Sequence, residues 1–160
     1  MNLKINRIIK NWKYASDIEY TTDYIKNNAG SGRRFAKQIV NKDLWQKAFA
    51  EFNLYPIEED GTLGSLLMNH YQDNTFTHLH KDQAPKGYVH IRANVMLKKP
   101  KSGGDIIIDD KIYNVNQNDL WLLLASLEEH GSTSIYNGER LIYSFGAIIE
   151  KQKIQEIINV

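Results

Sequence analysis

The sequence predicts a mainly β fold with helices near the N-terminus. At 160 residues the chain is long enough for one domain with a sizeable core. Helix signals are confined to the first part, and from about residue 64 short β-rich runs alternate with turn residues. Many short strands at this spacing are typical of a sandwich or jelly roll. We therefore expect one domain over residues 1–160, with helical support at 1–61 and a β-barrel core at 64–150.

Two helices are predicted in the N-terminal part. Ser16 is a candidate N-cap for a helix that ends before Gly30, although its apolar residues fall into two competing stripes. The second helix has a clearer pattern, because Asn41 can cap it and apolar residues recur every four positions from Leu44. This helix should pack on the outer face of the barrel, since neither part of the chain is large enough to bury a core alone.

Strand signals fill the rest of the chain. The predicted strands are 65–71, 88–97, 105–109, 111–115, 120–125 and 140–149. Asp109 and Asp110 stand between two of these runs and predict a tight hairpin. We expect the three tryptophans to lie in the core: Trp12, Trp45 and Trp121.

Composition excludes several kinds of chemistry. The chain has no cysteine, which excludes disulfides, zinc–thiolate sites and cysteine nucleophiles. A net charge of +1 gives no electrostatic reason to expect a nucleic-acid partner or an anionic membrane. The first residues lack the apolar run of a signal peptide, and no run approaches the roughly 18 apolar residues that a membrane span needs. We expect a cytoplasmic protein, and its oligomeric state stays open.

The segment from Thr77 to Asp82 carries the clearest chemical signal. His80 and Asp82 are two residues apart, so in an extended chain an imidazole and a carboxylate point to the same side. His130 follows after several predicted strands, which a jelly roll would bring together. Two histidines and one carboxylate form the facial triad that holds iron(II) and leaves three adjacent positions open.

Residues on either side of His130 add to this signal. Arg140 follows it by ten residues, across a predicted turn. A guanidinium there could hold one end of a dicarboxylate through a bidentate salt bridge while the other end chelates the metal. We interpret Glu128 and Glu129 as solvated loop acids, with a hydrogen bond to the free ring nitrogen of His130 as the alternative.

The order of these residues resembles the 2-oxoglutarate- and iron(II)-dependent oxygenases, most of all their compact prolyl-hydroxylase-like branch. The matching features, in chain order, are Tyr71 nine residues before His80, the pair His80 and Asp82, the turn Gly103-Gly104-Asp105, His130, and Arg140. The resemblance runs from residue 66 to residue 150, and the N-terminal third matches no family. The sequence departs from the family where Asn74 replaces a common Gly and Ile142 a common Ser.

The resemblance implies a double-stranded β-helix, which is a jelly roll, with 2-oxoglutarate as co-substrate and O2 as oxidant. The implied iron(II) ligands are His80, Asp82 and His130. Arg140 would bind the far carboxylate of 2-oxoglutarate with help from Tyr71, and Asn94 would lie in the pocket wall. The reaction would hydroxylate a substrate and release succinate and carbon dioxide, with no catalytic residue beyond the metal ligands. Peptidyl proline is the first substrate expected, and a free amino acid or another small molecule is the alternative.

Two other interpretations stay open. In a cupin-like site His78, His80 and His130 would bind the metal without 2-oxoglutarate, although the glutamate usual in such sites is missing. The chain could also be a jelly-roll binding module with a structural metal or none. His78 and Arg92 are candidate substrate contacts, and they fit equally well as ordinary residues of the barrel wall.

Overall fold

The computed structural model describes residues 2–24, 32–56 and 64–159, and the backbone alone at 26–28 and 58–59. The helices in this range are the 3-10 helix Ala15–Asp17, α1 (Lys42–Ala50) and α2 (Lys151–Gln155). The strands before residue 60 are β1 (Ile8–Ile9), β2 (Lys26–Asn28), β3 (Arg33–Lys37) and β4 (Glu58–Glu59). The later strands are β5 (Ser65–His70), β6 (Tyr88–Lys98), β7 (Ser102–Gly103), β8 (Ile106–Ile108), β9 (Lys111–Tyr113), β10 (Leu120–Leu123), β11 (His130–Ser132), β12 (Ile135–Tyr136) and β13 (Arg140–Glu150).

Antiparallel pairing joins the described strands into one large sheet and two small ones. The large sheet follows the order β1-β10-β6-β13-β5-β3-β2, with β4 also paired to β13. The small sheets have the orders β11-β8-β9 and β12-β7. Met96 and Trp121 of the large sheet share an apolar cluster with Ile106 and Ile108 of β8, so the two layers face each other. The prediction of a mainly β fold is confirmed.

The long strand β6 presents two different faces. Side chains alternate along a strand, so residues two apart share a face. One face carries Val89, Ile91, Ala93 and Val95, all in the apolar cluster that includes α1. The opposite face carries His90, Arg92, Asn94 and Met96, which are also buried. The large sheet is therefore apolar toward the helix and partly polar toward the small sheets.

Helix α1 lies on the outer face of the large sheet, as expected. The Asn41 side chain caps it by accepting a hydrogen bond from the backbone nitrogen of Leu44. Its buried residues join the cluster formed by the outer faces of β6 and β13, and Trp45 Nε1 donates to the Gly146 carbonyl at 2.8 Å. Among the described residues, no helix has the length and apolar character that crossing a membrane requires.

The first predicted helix is wrong. After Ser16 the chain forms only the short 3-10 helix and then runs without regular structure to residue 24, before β2 pairs with β3. Ile18 and the Tyr and Thr residues that follow are β-branched or aromatic, and such residues lose side-chain freedom in a helix and suit extended chain. Gly30 and the expected boundary at Gly61 lie outside the described residues.

The predicted strands are confirmed from β5 onward, some with shorter ends. The hairpin at Asp109 and Asp110 joins β8 to β9, and these residues have φ values of 46° and 66°, as a type I′ turn requires. The short strands β7, β11 and β12 have no counterpart in the prediction, because two or three residues carry no detectable period. The three tryptophans are buried as predicted, each 2% exposed: Trp12, Trp45 and Trp121.

Deleting residues 1–60 is expected to abolish cooperative folding. The deletion removes Trp12 and α1, and so exposes the outer apolar faces of β6 and β13 to water. Each large apolar side chain that loses its cover costs about 1.5–3 kcal/mol. Thermal unfolding followed by circular dichroism measures the effect. A truncated protein that still unfolds in one sharp transition would show that the β-rich part from residue 61 onward is an independent domain.

Candidate metal centre and cavity

His80 and His130 are joined backbone to backbone. The His80 nitrogen donates to the His130 carbonyl at 3.0 Å, and the His130 nitrogen donates to the His80 carbonyl at 2.9 Å. Residues paired in this way place their side chains on the same side of the two chains. The two imidazoles accordingly lie side by side, with ring centroids 4.3 Å apart. The Asp82 nitrogen donates to the Ala125 carbonyl at 2.8 Å. This hydrogen bond holds the chain after His80 against the segment that follows β10.

The structure brings the three predicted ligands together. Asp82 Oδ1 lies 3.2 Å from His80 Nε2 and 3.8 Å from His130 Nε2. One ligand atom from each residue lies within 4.8 Å of the other two. Neighbouring ligands that sit about 2.1 Å from a metal and at right angles around it are about 3 Å apart. The set therefore fits one metal ion after small side-chain movements.

Backbone carbonyls orient both imidazoles. His80 Nδ1 lies 2.7 Å from the His78 carbonyl, and His130 Nδ1 lies 2.9 Å from the Glu128 carbonyl. Because a carbonyl only accepts hydrogen bonds, Nδ1 is the donor in each ring, and Nε2, on the side of Asp82, is the nitrogen that can bind a metal. Burial lowers the pKa of His130 from its usual value, which favours the neutral imidazole that binds metals.

His90 is a buried residue of the site that sequence reasoning missed. Its Nδ1 lies 3.6 Å from Asp82 Oδ2, the second carboxylate oxygen. Its backbone nitrogen donates to Ser126 Oγ at 2.9 Å, and its carbonyl accepts from the Ser126 nitrogen at 3.3 Å. These contacts allow His90 to orient the carboxylate. The signal was the alternation on β6, since His90 shares a face with Arg92 and Asn94.

A buried ion pair holds the segment that leads to His130. Arg7 donates from Nη1 and Nη2 to the two carboxylate oxygens of Glu128, at 2.9 and 2.5 Å. The Glu128 side chain is fully buried and also accepts a hydrogen bond from the Leu124 nitrogen at 2.9 Å. The interpretation of Glu128 as a solvated acid is therefore wrong, whereas Glu129 is exposed as expected. Arg7 anchors the loop, and the carbonyl of Glu128 then orients the ligand histidine.

A cavity of about 240 Å³ adjoins the metal ligands. This volume is below the range of about 300–1,000 Å³ found for most small-molecule pockets, so the cavity suits a compact ligand. Its apolar wall includes Phe35, Met68, Ile106, Trp121, Leu123 and Ile142. Its charged and amide residues, apart from the metal ligands, are Arg33, Arg92, Asn94 and Arg140.

Arg140 is a buried cation in the cavity wall. The residue is 5% exposed, and its Nε donates to the Gly104 carbonyl at 3.0 Å. Burial lowers the pKa of Arg140 to about 10, while the negative charge of Asp105 acts in the opposite direction. The guanidinium therefore stays charged at neutral pH. The carbonyl that accepts this hydrogen bond and the Asp105 charge both belong to the Gly-Gly-Asp turn at 103–105.

Arg92 and Asn94 also lie in the cavity wall. Arg92 Nη1 donates to Ser144 Oγ at 3.0 Å. Ser144, the serine that follows Arg140 on β13, is thus a hydrogen-bond partner of Arg92 rather than of Arg140. Asn94 is paired with Ser144 across β6 and β13, and its Oδ1 is buried without a hydrogen-bond partner among the described residues. That oxygen can accept a hydrogen bond from a ligand.

The structure does not bring two of the predicted residues to the cavity. Tyr71 follows His70 directly, so its side chain points to the opposite face, where the Arg34 guanidinium lies 4.3 Å from its ring centroid. This placement gives no support to a contact between Tyr71 and a co-substrate. His78 is exposed and packs on Phe76, with ring centroids 4.8 Å apart. Among the described residues, it does not belong to the group that could share an ion.

Comparison with known proteins extends this picture at the level of fold. No protein-family model matches the sequence, and no curated protein matches it. HygX from Streptomyces hygroscopicus, determined with nickel, 2-oxoglutarate and hygromycin B bound, is 13% identical, with a TM-score of 0.59 over 90% of this chain and 82% of that chain. A prolyl-4-hydroxylase from Pseudomonas putida is 15% identical, with a TM-score of 0.51 over 76% of each chain.

An RmlC-like cupin from Shewanella frigidimarina is 10% identical, with a TM-score of 0.48 over 85% of this chain and 94% of that chain. A score this low carries no argument about function. At such identities the similarities show the fold alone. The chain therefore shares its overall fold with HygX and with the prolyl-4-hydroxylase, and the similarity favours neither of their activities.

Replacing Arg7 with alanine is expected to destabilise the protein by about 3–5 kcal/mol, because the Glu128 carboxylate is left buried without its cation. Urea denaturation of the metal-free protein measures this loss. Lys47→Ala is the control, since it removes only the solvent-exposed contacts of Lys47 with Asp43 and Tyr14 and should cost far less than Arg7→Ala. A similar small loss for both variants would contradict the anchoring role of Arg7.

Proposed function

We propose that this chain is an iron(II)- and 2-oxoglutarate-dependent dioxygenase that hydroxylates its substrate and releases succinate and carbon dioxide. The observation that carries the proposal is one cavity that holds both the His80, Asp82 and His130 group and the buried Arg140. A metal triad alone fits several metals, and a buried arginine alone fits many anions. Together they suit a ligand that chelates a metal at one end and presents a carboxylate at the other.

The residues of the chain have separate parts in this reaction. Iron(II), when bound, supplies the redox chemistry that couples oxidation of 2-oxoglutarate to hydroxylation of a C–H bond by O2. His80 and His130 would hold the metal through Nε2, and Asp82 would hold it through one carboxylate oxygen. Arg140 binds the far carboxylate of 2-oxoglutarate, and the apolar wall keeps water away from it.

Peptidyl proline is the first substrate that we propose, because the order of motifs resembles the prolyl-hydroxylase-like branch. HygX, determined with hygromycin B bound, is a reason to test small molecules beside it. Release of succinate from 2-oxoglutarate, measured with and without prolyl peptides, free amino acids and other small molecules, tests the activity and the substrate together. Succinate formation that His80→Ala leaves unchanged would contradict the proposal.

Asp82→Ala is expected to abolish the binding of one iron(II) or nickel(II) ion per chain, because the site loses its only anionic ligand in the described group. Anaerobic titration calorimetry measures the binding. His78→Ala is the matched control, since His78 is exposed, lies two residues before His80 and is outside the group. The reverse pattern, with binding lost in His78→Ala and kept in Asp82→Ala, would favour the cupin-like site.

Arg140→Ala is expected to weaken 2-oxoglutarate binding by about a hundredfold to a few thousandfold, because one buried charge then loses its partner at a cost of about 3–5 kcal/mol. Metal binding should stay nearly unchanged. Arg140→Lys should lose less, since the charge remains and only the fork geometry is lost. Titration of 2-oxoglutarate into the nickel-loaded variants measures these affinities. Unchanged affinity in Arg140→Ala would mean that the co-substrate is anchored elsewhere.

A further inference from the structure

Three nitrogen-bearing side chains lie in one row across the large sheet. Arg33 of β3 is paired with His70 of β5, and His70 is paired with Arg140 of β13. Directly paired residues of antiparallel strands place their side chains on the same face. Both arginines line the cavity, so the N-terminal hairpin adds a guanidinium to the wall that already holds Arg92 and Arg140. The row spans two strand spacings, which separates the two arginine Cα atoms by roughly 10 Å.

His70, between the two arginines, is uncharged at neutral pH. It is 3% exposed, and its Nε2 lies 3.2 Å from Thr77 Oγ1. Burial, together with the positive charges of Arg140 and Arg33, lowers the pKa of His70 to about 3. Both arginines are direct cross-strand neighbours of His70, which places their side chains on either side of the same ring. The row holds two cations separated by a neutral residue.

We propose that Arg33 and Arg140 together bind the far carboxylate of 2-oxoglutarate, so that β3 contributes to the choice of co-substrate. The inference rests on the proposed function and adds a residue of the N-terminal third to the site. Two guanidinium groups that flank one neutral residue repel each other, and a carboxylate seated between them offsets that repulsion. The Arg33 guanidinium also lies 5.6 Å from the ring centroid of Phe35, a contact that keeps it against the cavity wall.

A comparison of two oxo acids tests the inference. Nickel-loaded, full-length protein is titrated with 2-oxoglutarate and with 2-oxopentanoate, which has the same chain length and chelating end but no far carboxylate. Arg33→Ala is expected to weaken 2-oxoglutarate binding by about 10- to 100-fold and 2-oxopentanoate binding by less than about threefold. Arg33→Lys should recover part of the loss, because the charge remains. If the alanine variant does not fold, the lysine variant gives the same comparison of the two acids.

Arg34→Ala is the matched control. Arg34 follows Arg33 directly and points to the other face, where its Nε donates to Asn69 Oδ1 at 2.9 Å. Its guanidinium lies 4.2 and 4.3 Å from the ring centroids of Tyr24 and Tyr71. Both acids should bind Arg34→Ala within about threefold of their wild-type affinities.

The possible results separate the inference from the function on which it rests. Unchanged 2-oxoglutarate binding in Arg33→Ala, or an equal loss for both acids, would overturn the role of Arg33 and leave the proposed function standing. A loss of 2-oxoglutarate binding in Arg34→Ala as large as in Arg33→Ala would overturn it too, because the effect would then come from the hairpin as a whole. A wild-type protein that binds nickel but not 2-oxoglutarate would overturn the proposed function and the inference together.

Discussion

The reciprocal hydrogen bonds between His80 and His130 are the constraint on which the candidate site depends. They join two segments that are far apart in the sequence and place both imidazoles on the side where Asp82 completes the group. The segments approach so closely that a Cβ at Gly131 would lie 2.6 Å from the Thr77 carbonyl oxygen. Because paired backbone rather than free loop carries the histidines, only side-chain movements are needed to bring the three ligand atoms around one metal ion.

The two-faced large sheet explains how a chain of this size can bury so many polar groups. Its outer face forms the main apolar core together with α1. The inner face can therefore carry charged side chains. Buried charges need partners, and the structure supplies the Gly104 carbonyl for Arg140 and Ser144 for Arg92. Among the described residues, the cavity wall nevertheless holds three arginines and one carboxylate, that of Asp82. This excess of positive charge favours an anionic ligand.

Local patterns predicted the features that depend on near neighbours in the sequence. The cap at Asn41, the hairpin of two aspartates and the H-x-D pair are all of this kind, and the structure contains each of them. Two differences at the site have causes that no local pattern reveals. Glu128 is buried only because Arg7, 121 residues away, reaches it, and no local signal marks that contact. Tyr71 lies on the face opposite the cavity because of the phase of its strand, since one residue decides which face a side chain takes.

Strand phase also decides whether the N-terminal third contributes a side chain to ligand binding in the cavity. The family resemblance begins after this region, so nothing about it could be transferred from known oxygenases. Helix α1 covers the outer face of the large sheet through apolar contacts and the hydrogen bond from Trp45, and none of these contacts reaches the cavity. Arg33 is different, because a slip of one residue between β3 and β5 would exchange it for Arg34 and turn its guanidinium out of the cavity. The register between β3 and β5 therefore decides which guanidinium the N-terminal region presents to a ligand in the cavity. The same pairing also contributes to the stability of the fold.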